Sequence, residues 1–357
     1  NYIRNFYEGK YKNMGKRVFS YLSLLPQSLI APPMYDDDGN KVRIRLNYLL
    51  LANPGMAKTV ISRHFASWAY NPLVFEDITS SMLNFTLSKK GKRATLVTSD
   101  IARIFAKEEL IKEMETIIGD DGRLSRLNRR TGDKEKEIEA IACLAGTPDN
   151  LNKTIEDGMI FRLCPQICLL TQEQHDEILR SVNEKVGLGF KPEGFIDKEQ
   201  IIGAYYEIIR RILDGEDENI KLNEKDAYEI PSSFRREIAE KVIPFFNEAF
   251  SNTDFTYVRE LHQTYRFMIA HALLNIFNRT IISGKILMEQ EDLDMAIKLI
   301  IAELETKVWI IEGMSDISER RIRNRQELKV FAQSQLQAGS PMNQKKFKIM
   351  ELLLENR

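Results

Sequence analysis

Residues 43–70 read RIRLNYLLLANPGMAKTVISRHFASWAY, and three textures follow one another within them. The first ten, RIRLNYLLLA (43–52), read as an apolar run of strand length ending at Asn53-Pro54-Gly55. A continuous run bounded by turn residues suits a strand buried on both faces of a parallel sheet, whereas a half-exposed strand would alternate. The last fourteen, beginning at Ala57, have helical spacing. Strand, tight loop and helix in that order predict the first βα unit of an α/β domain.

The same alternation recurs downstream. LVFEDI (73–78) and ATLVTS (94–99) read as strands, a helical stretch runs from Ala102 to about Ile118, and IEAIACLAG (138–146) and PQICLLT (165–171) are further apolar strands. These predict a doubly wound α/β domain of five parallel strands over 46–171. Ahead of it, residues 1–45 form a helical lead-in around RVFSYLSLLPQSLI (17–30), closed by Pro32, Pro33 and the acidic turn DDDGN (36–40). From Gln172 to Gly313 the periodicity is helical, broken at VGLGFKPEGF (186–195) and DGEDENIKLNEKD (214–226), which predicts an all-α second domain over 172–313. A basic tail over 314–357 (ERRIRNRQELK, then KKFKIMELLLENR) reads as the start of a further domain.

Composition narrows the classes. Lys+Arg number 51 and Asp+Glu 52 in 357 residues, a net charge of −1. No polybasic coat exists, so any nucleic acid must meet a local patch. Three cysteines, Cys143, Cys164 and Cys168, are too few for a disulfide framework; they favour a reducing compartment and read as small buried hydrophobes. His64, His175, His262 and His271 are scattered, which argues against a metal cluster. No apolar run reaches the roughly 18 residues of a membrane span. The start NYIRNFYEGKYK has no signal-peptide pattern, and a first residue other than Met leads us to expect a piece of a longer protein.

The loop between first strand and helix has the chemistry of a phosphate cradle. In ANPGMAKT (52–59) the backbone N–H groups of Asn53, Pro54, Gly55, Met56 and Ala57 (proline excepted) can wrap a β-phosphate. Lys58 would neutralise the β/γ charge of ATP, Thr59 would ligate Mg²⁺, and the helix N-terminus adds its positive dipole end. The general pattern G-x-x-x-x-G-K-[ST] has glycine where this chain has Ala52 and Ala57. A methyl is tolerable there if φ stays negative and costly if it does not.

ANPGMAKT resembles the Walker A motif of AAA+ ATPases, and the alanine before the lysine is similar to that of the minichromosome maintenance (MCM) helicases. VRELHQTYRFMIAHALL (258–274) is similar to the MCM helix with the sensor 2 arginine, MEQEDLDMAIKLI (288–300) to the segment closing the MCM lid, and SLIAPPMY (28–35) to the lead-in. The likeness spans roughly residues 20–313. It implies a P-loop AAA+ core of doubly wound parallel strands with a C-terminal all-α lid, and an ATPase that assembles as a homo-oligomer, a hexameric ring. It implies roles for Thr147 (sensor 1), Arg162 (an arginine finger serving a neighbour) and Arg259 (sensor 2), with Arg266 on the same helical face. The family's Walker B Asp-Glu pair is reduced here to one acid in ATLVTSDIARIF. Either Asp100 is the metal-holding aspartate and Ile101 replaces the base, or Ser99 takes the metal position and Asp100 the base. The second register is preferred because the next apolar residue must pack inward. Glu76-Asp77 follows Lys58 too closely to be that pair.

Two basic stretches could grip single-stranded DNA in a central pore. SKKGKR supplies Lys89, Lys90, Lys92 and Arg93; DDGRLSRLNRRTGDK (120–134) supplies Arg123, Arg126, Arg129, Arg130 and Lys134 where the family carries its presensor 1 hairpin. Without interleaved aromatics, phosphate contact is the expected mode. The expectation is an MCM-like ring helicase or translocase in DNA replication, with a mobile element as one setting, cytoplasmic and nucleoid-associated. The alternative is an ATP-binding switch or loader that assembles on DNA or protein without processive unwinding.

Overall fold

The computed structural model describes residues 16–35, 39–53, 55–119, 123–124, 136–148, 159–168, 176, 180, 198–249 and 258–318. Its elements in chain order begin with helix α1 (Lys16–Ile30), the two-residue strands β1 (Met34–Tyr35) and β2 (Lys41–Val42), strand β3 (Tyr48–Ala52) and helix α2 (Lys58–Trp68). Next come β4 (Pro72–Val74), α3 (Ser80–Lys90), β5 (Arg93–Thr98), and the helices α4 (Ala102–Phe105) and α5 (Glu108–Ile118). A short pair, β6 (Arg123–Leu124) and β7 (Lys136–Glu137), precedes β8 (Glu139–Gly146); a 3₁₀ turn (Met159–Arg162) leads into β9 (Cys164–Cys168). The C-terminal part holds α6 (Lys198–Leu213), β10 (Tyr228–Glu229), α7 (Ser232–Ala249), α8 (Val258–Leu274), β11 (Ile281–Ile282), β12 (Lys285–Leu287) and α9 (Gln290–Ser318).

Five strands form one parallel sheet in the order β4-β5-β8-β3-β9. The chain leaves β3, builds leftward to β4, returns through β5 and β8, then crosses to β9 on the other side of β3. That reversal makes β3 and β8 neighbours whose connections diverge, the position at which α/β sheets open a ligand crevice outside their carboxyl ends. Both faces of the sheet are covered. Tyr48, Leu50 and Ala52 point into an apolar cluster with α1, α2 and the C-terminal helices. Leu49 and Leu51 point into a second cluster with α3, α4 and α5. The run YLLLA is unbroken because each residue has a core to enter, and a fully buried leucine contributes about 1.5–3 kcal/mol.

The helix expected within residues 17–30 is α1, which lies between the sheet and the C-terminal helices. Gln27 Nε2 donates to Ala270 O at 3.0 Å, and the Tyr206 hydroxyl donates to Ser23 O at 2.9 Å. The C-terminal part is not all-α, because β10, β12 and β11 pair as a small sheet in that order. A boundary at 313 cuts α9, which continues to Ser318. The helical stretch from Ala102 is also interrupted: it stops at Phe105 and restarts at Glu108. No helix among the described residues is long and apolar enough to cross a membrane.

The hairpin that joins α8 to α9 is tied by buried charge. Asp292, 0% exposed, accepts from both Nε and Nη2 of Arg279 at 3.0 and 2.6 Å and lies 2.7 Å from His271 Nδ1. Burial pushes its carboxyl up, but the bonds from His271 and Arg279 outweigh that and hold it below the usual aspartate value.

Candidate nucleotide-binding site

The carboxyl ends of three adjacent strands bring together residues that lie far apart in sequence. Leu51 pairs with Gly146, so Ala52 at the loop's start is level with Thr147. Thr98 pairs with Leu144, which sets Asp100 beside the end of β8. The loop after β3 turns through Gly55 at φ +84° and Ala57 at φ +53°, then α2 begins at Lys58. Glycine adopts such an angle freely, whereas Ala57 takes it at about 1–2 kcal/mol. The condition that would have made alanine harmless is therefore not met at Ala57.

Lys58 folds back over its own loop, donating from Nζ to Ala52 O at 2.6 Å and to Asn53 O at 2.8 Å. Half-burial lowers the ammonium below the usual lysine value, and the nearby Asp100 carboxylate partly opposes the shift. The charge is thus held within the loop, close to the N-terminus of α2. A phosphate there would gain this cation and the helix's first free N–H groups together.

Asp100 sits in a turn fixed from two sides. Its Oδ1 accepts from Ala102 N at 3.0 Å, capping α4, and Ile101 N donates to Ala145 O at 2.9 Å. Ile101 is 0% exposed and rests on Gly146, where an added Cβ would come within 2.3 Å of it. That inward packing of Ile101 is the feature on which the preferred register rested. Of the neighbouring acids, Asp77 pairs with Lys107, and Glu76 lies 3.9 Å from Arg63 at the surface.

Arg162 and Arg259 are not at this edge. They line a cavity of about 550 Å³ with Arg45, Asn47, Lys112, Glu115 and Arg266. Asn47 immediately precedes β3 and Arg162 lies two residues before β9, so the cavity opens at the amino ends of the strands. The five steps from Asn47 to Ala52 span roughly 16 Å at about 3.3 Å each. Five cations thus gather around one carboxylate, with Arg162 Nη1 at 2.8 Å from Glu115 Oε1. Arg266 is braced by Nε to Arg43 O at 2.9 Å and by Nη1 to Gln263 Oε1 at 3.2 Å. Buried Asn47 ties the frame: Nδ2 donates to Ile118 O and Arg162 O, both at 3.2 Å, and Oδ1 accepts from Ala142 N at 3.0 Å. Asn47 and Arg45 escaped the sequence reading. Their one trace is polar residues set into RIRLNYLLL, where an uninterrupted strand would have none.

The basic turn 89–93 is two things: the C-terminus of α3 and the start of β5. Lys90 Nζ donates to Pro72 O and Asn71 Oδ1, and Arg93 pairs with Glu139 and Asp214. Of the four cations, Lys90 and Arg93 are engaged by partners of the chain itself, Lys89 lies over the Phe85 ring, and Lys92 is exposed. The second stretch does start as a hairpin, with Arg123 paired to Glu137 and Leu124 to Lys136. It emerges beside the first, since Glu139 N donates to Lys92 O at 2.7 Å. Arg126, Arg129 and Arg130, like Pro54 in the phosphate loop, lie outside the described residues. No protein-family model matches the chain, and no curated protein matches it significantly.

Proposed function

We propose that this chain is an MCM-like AAA+ ATPase that binds Mg-ATP at the 52–59 loop and works as a ring of identical subunits on single-stranded DNA, as a helicase or translocase. One observation carries the reading. Lys58 and the cluster of Arg162, Arg259 and Arg266 stand at opposite edges of one sheet, about 16 Å apart along β3 at strand rise. The arginines are too far away to serve their own subunit's phosphates, and a neighbour presenting its loop to the cavity would complete the site. Positive charge aimed at a transferring phosphoryl group stabilises the charge that develops there.

The residues present fit the metal such a site uses. Thr59 offers a hydroxyl and Asp100 a carboxylate, hard oxygen donors of the kind Mg²⁺ takes alongside phosphate and water. Thr147, level with the loop, would be the polar group that orients water. Lys58 would draw the β/γ charge, and Mg²⁺ held by Thr59 and Asp100 would supply charge neutralisation at the transferring phosphoryl group.

Subunit mixing tests the reading. Lys58→Ala retains its arginines and Arg162→Ala retains its loop; each alone is expected to lack ATPase activity, and their mixture to recover part of it. Inactive mixtures, or a fully active Arg162→Ala, would remove the neighbour-completed site. A second reading, an ATP-operated switch or loader, is favoured by one feature: Asp100 is the single acid at the β5 edge and one of its oxygens caps α4. Nucleotide-dependent assembly without turnover would select it.

A further inference from the structure

Behind the arginine cavity lies a group of charges with no access to solvent. Lys307 on α9 is 2% exposed, Glu303 one turn earlier is 1% exposed, and Glu260 on α8 is 5% exposed. Lys307 Nζ stands 2.6 Å from Glu303 Oε1 and 3.5 Å from Glu260 Oε1. Cys164, the first residue of β9, joins the group. Gln263 Nε2 on α8 lies 2.8 Å from its Sγ, and its thiol bonds to Glu303. One cluster therefore links α8, α9 and β9. Two of the four cavity arginines are a short step from it: Arg259 precedes Glu260, and Arg162 lies two residues before Cys164.

The protonation pattern is consistent with this arrangement. Burial pushes the Cys164 thiol well above its usual range, so it stays protonated. Burial alone would lower Lys307, but Glu303 and Glu260 outweigh it and raise the ammonium above the ordinary lysine value. A buried ion cluster contributes little net stability compared with apolar residues of the same volume, because desolvation offsets the attraction. What such a cluster does supply is direction: Glu303 sits on the same helix as Lys307, so the elements are held to one another by the 3.5 Å approach of Lys307 to Glu260 on α8 and by the contact of Gln263 on α8 with Cys164 on β9.

We infer that Lys307, with Glu303 and Glu260, is a positioning device that sets Arg259 on α8 against Arg162 ahead of β9, so that the cavity presents a preformed fork to a triphosphate. The inference rests on reading the cavity as an anion site, and its test does not need ATP turnover. In a Lys58→Ala background, where the chain's own loop is disabled, inorganic tripolyphosphate is titrated calorimetrically at low salt. Binding is expected, and is expected to vanish with Arg162→Ala or Arg259→Ala.

The deciding variant replaces the whole cluster with apolar residues: Lys307→Met, Glu303→Leu and Glu260→Met together. It is expected to keep its Tm while its tripolyphosphate affinity falls about tenfold, the loss of roughly one charge-assisted hydrogen bond. Lys307→Arg, which keeps the charge, is expected to retain most of the affinity. An undiminished affinity in the apolar variant overturns the inference, and so does a Lys58→Ala protein that does not bind tripolyphosphate. Should the triple variant fail to fold, Glu260→Gln, close in volume, takes its place: weaker binding at unchanged Tm supports the inference, and unchanged binding overturns it. Mg-ATP binding by the wild type is measured separately. Its absence would remove the P-loop reading, while the tripolyphosphate titration still decides the positioning role.

Discussion

The two ends of the central sheet are built by opposite strategies. At the carboxyl end a continuous loop of eight residues, Ala52 to Thr59, supplies backbone groups, a helix N-terminus and one lysine. At the amino end the cavity is assembled from side chains on separate segments: Arg45 and Asn47 before β3, Lys112 and Glu115 on α5, Arg162 before β9, Arg259 and Arg266 on α8. A contiguous loop shaped by backbone needs little from the rest of the chain. A cavity made of long, flexible cations must be held by everything around it, hence the carbonyl under Arg266, the carboxylate beside Arg162 and the amide of Asn47.

Different failures should follow when each end is damaged. Arg162→Ala should lower kcat by about three orders of magnitude, the lower end of what an arginine finger contributes, with nucleotide Kd nearly unchanged. Equal losses in both would mean that the two ends are one site. Lys58→Ala should instead weaken nucleotide binding by roughly 10- to 100-fold, the worth of a charge-assisted hydrogen bond in a half-buried loop, read by equilibrium titration. The hairpin at the amino end gives a smaller effect. Arg129→Ala with Arg130→Ala should reduce the salt slope of single-strand DNA binding by about 1.4, two phosphate contacts at roughly 0.7 each. An unchanged slope would take this hairpin off the DNA. The mildest change is a gain: Ala57→Gly relieves the left-handed backbone and should stabilise the fold by about 1 kcal/mol less the extra unfolded-state entropy of glycine, measured by urea midpoint. A destabilised Ala57→Gly would show that the loop's turn is not strained.

The same contrast explains what could be read in advance. β3, the loop and α2 were legible because each is local: an apolar run, a turn dipeptide, a helical period. Four of the five sheet strands, β3, β5, β8 and β9, lie to within a residue inside apolar runs visible in the sequence, since strands buried on both faces need no alternation; the edge strand β4 is half-exposed and only three residues long. The cavity was only partly legible. Arg162 and Arg259 were singled out through resemblance, but nothing in their spacing of 97 residues places them in one cavity, and Arg45 and Asn47 carry no pattern of their own. Lys90 and Arg93 illustrate the converse. A run of cations looks like a surface patch until the fold supplies Pro72 O and Asp214 as partners. The three short strands at 228–229, 281–282 and 285–287 were missed because two- and three-residue strands show no measurable period.

Helix α1 has a consequence for how the protein is made. It is among the first described segments to leave the ribosome, yet its partners are among the last: Tyr21 donates its hydroxyl to Leu299 O, a separation of 278 residues. At about 5–20 residues per second, the ribosome needs roughly 15–55 s to deliver that partner. Until α6 and α8 follow, the apolar flank of α1 has only the nascent sheet to rest on. A ribosome that stops short of α9 releases a core whose α1 rests on the sheet, α6 and α8 but lacks the Leu299 carbonyl that takes the Tyr21 hydroxyl.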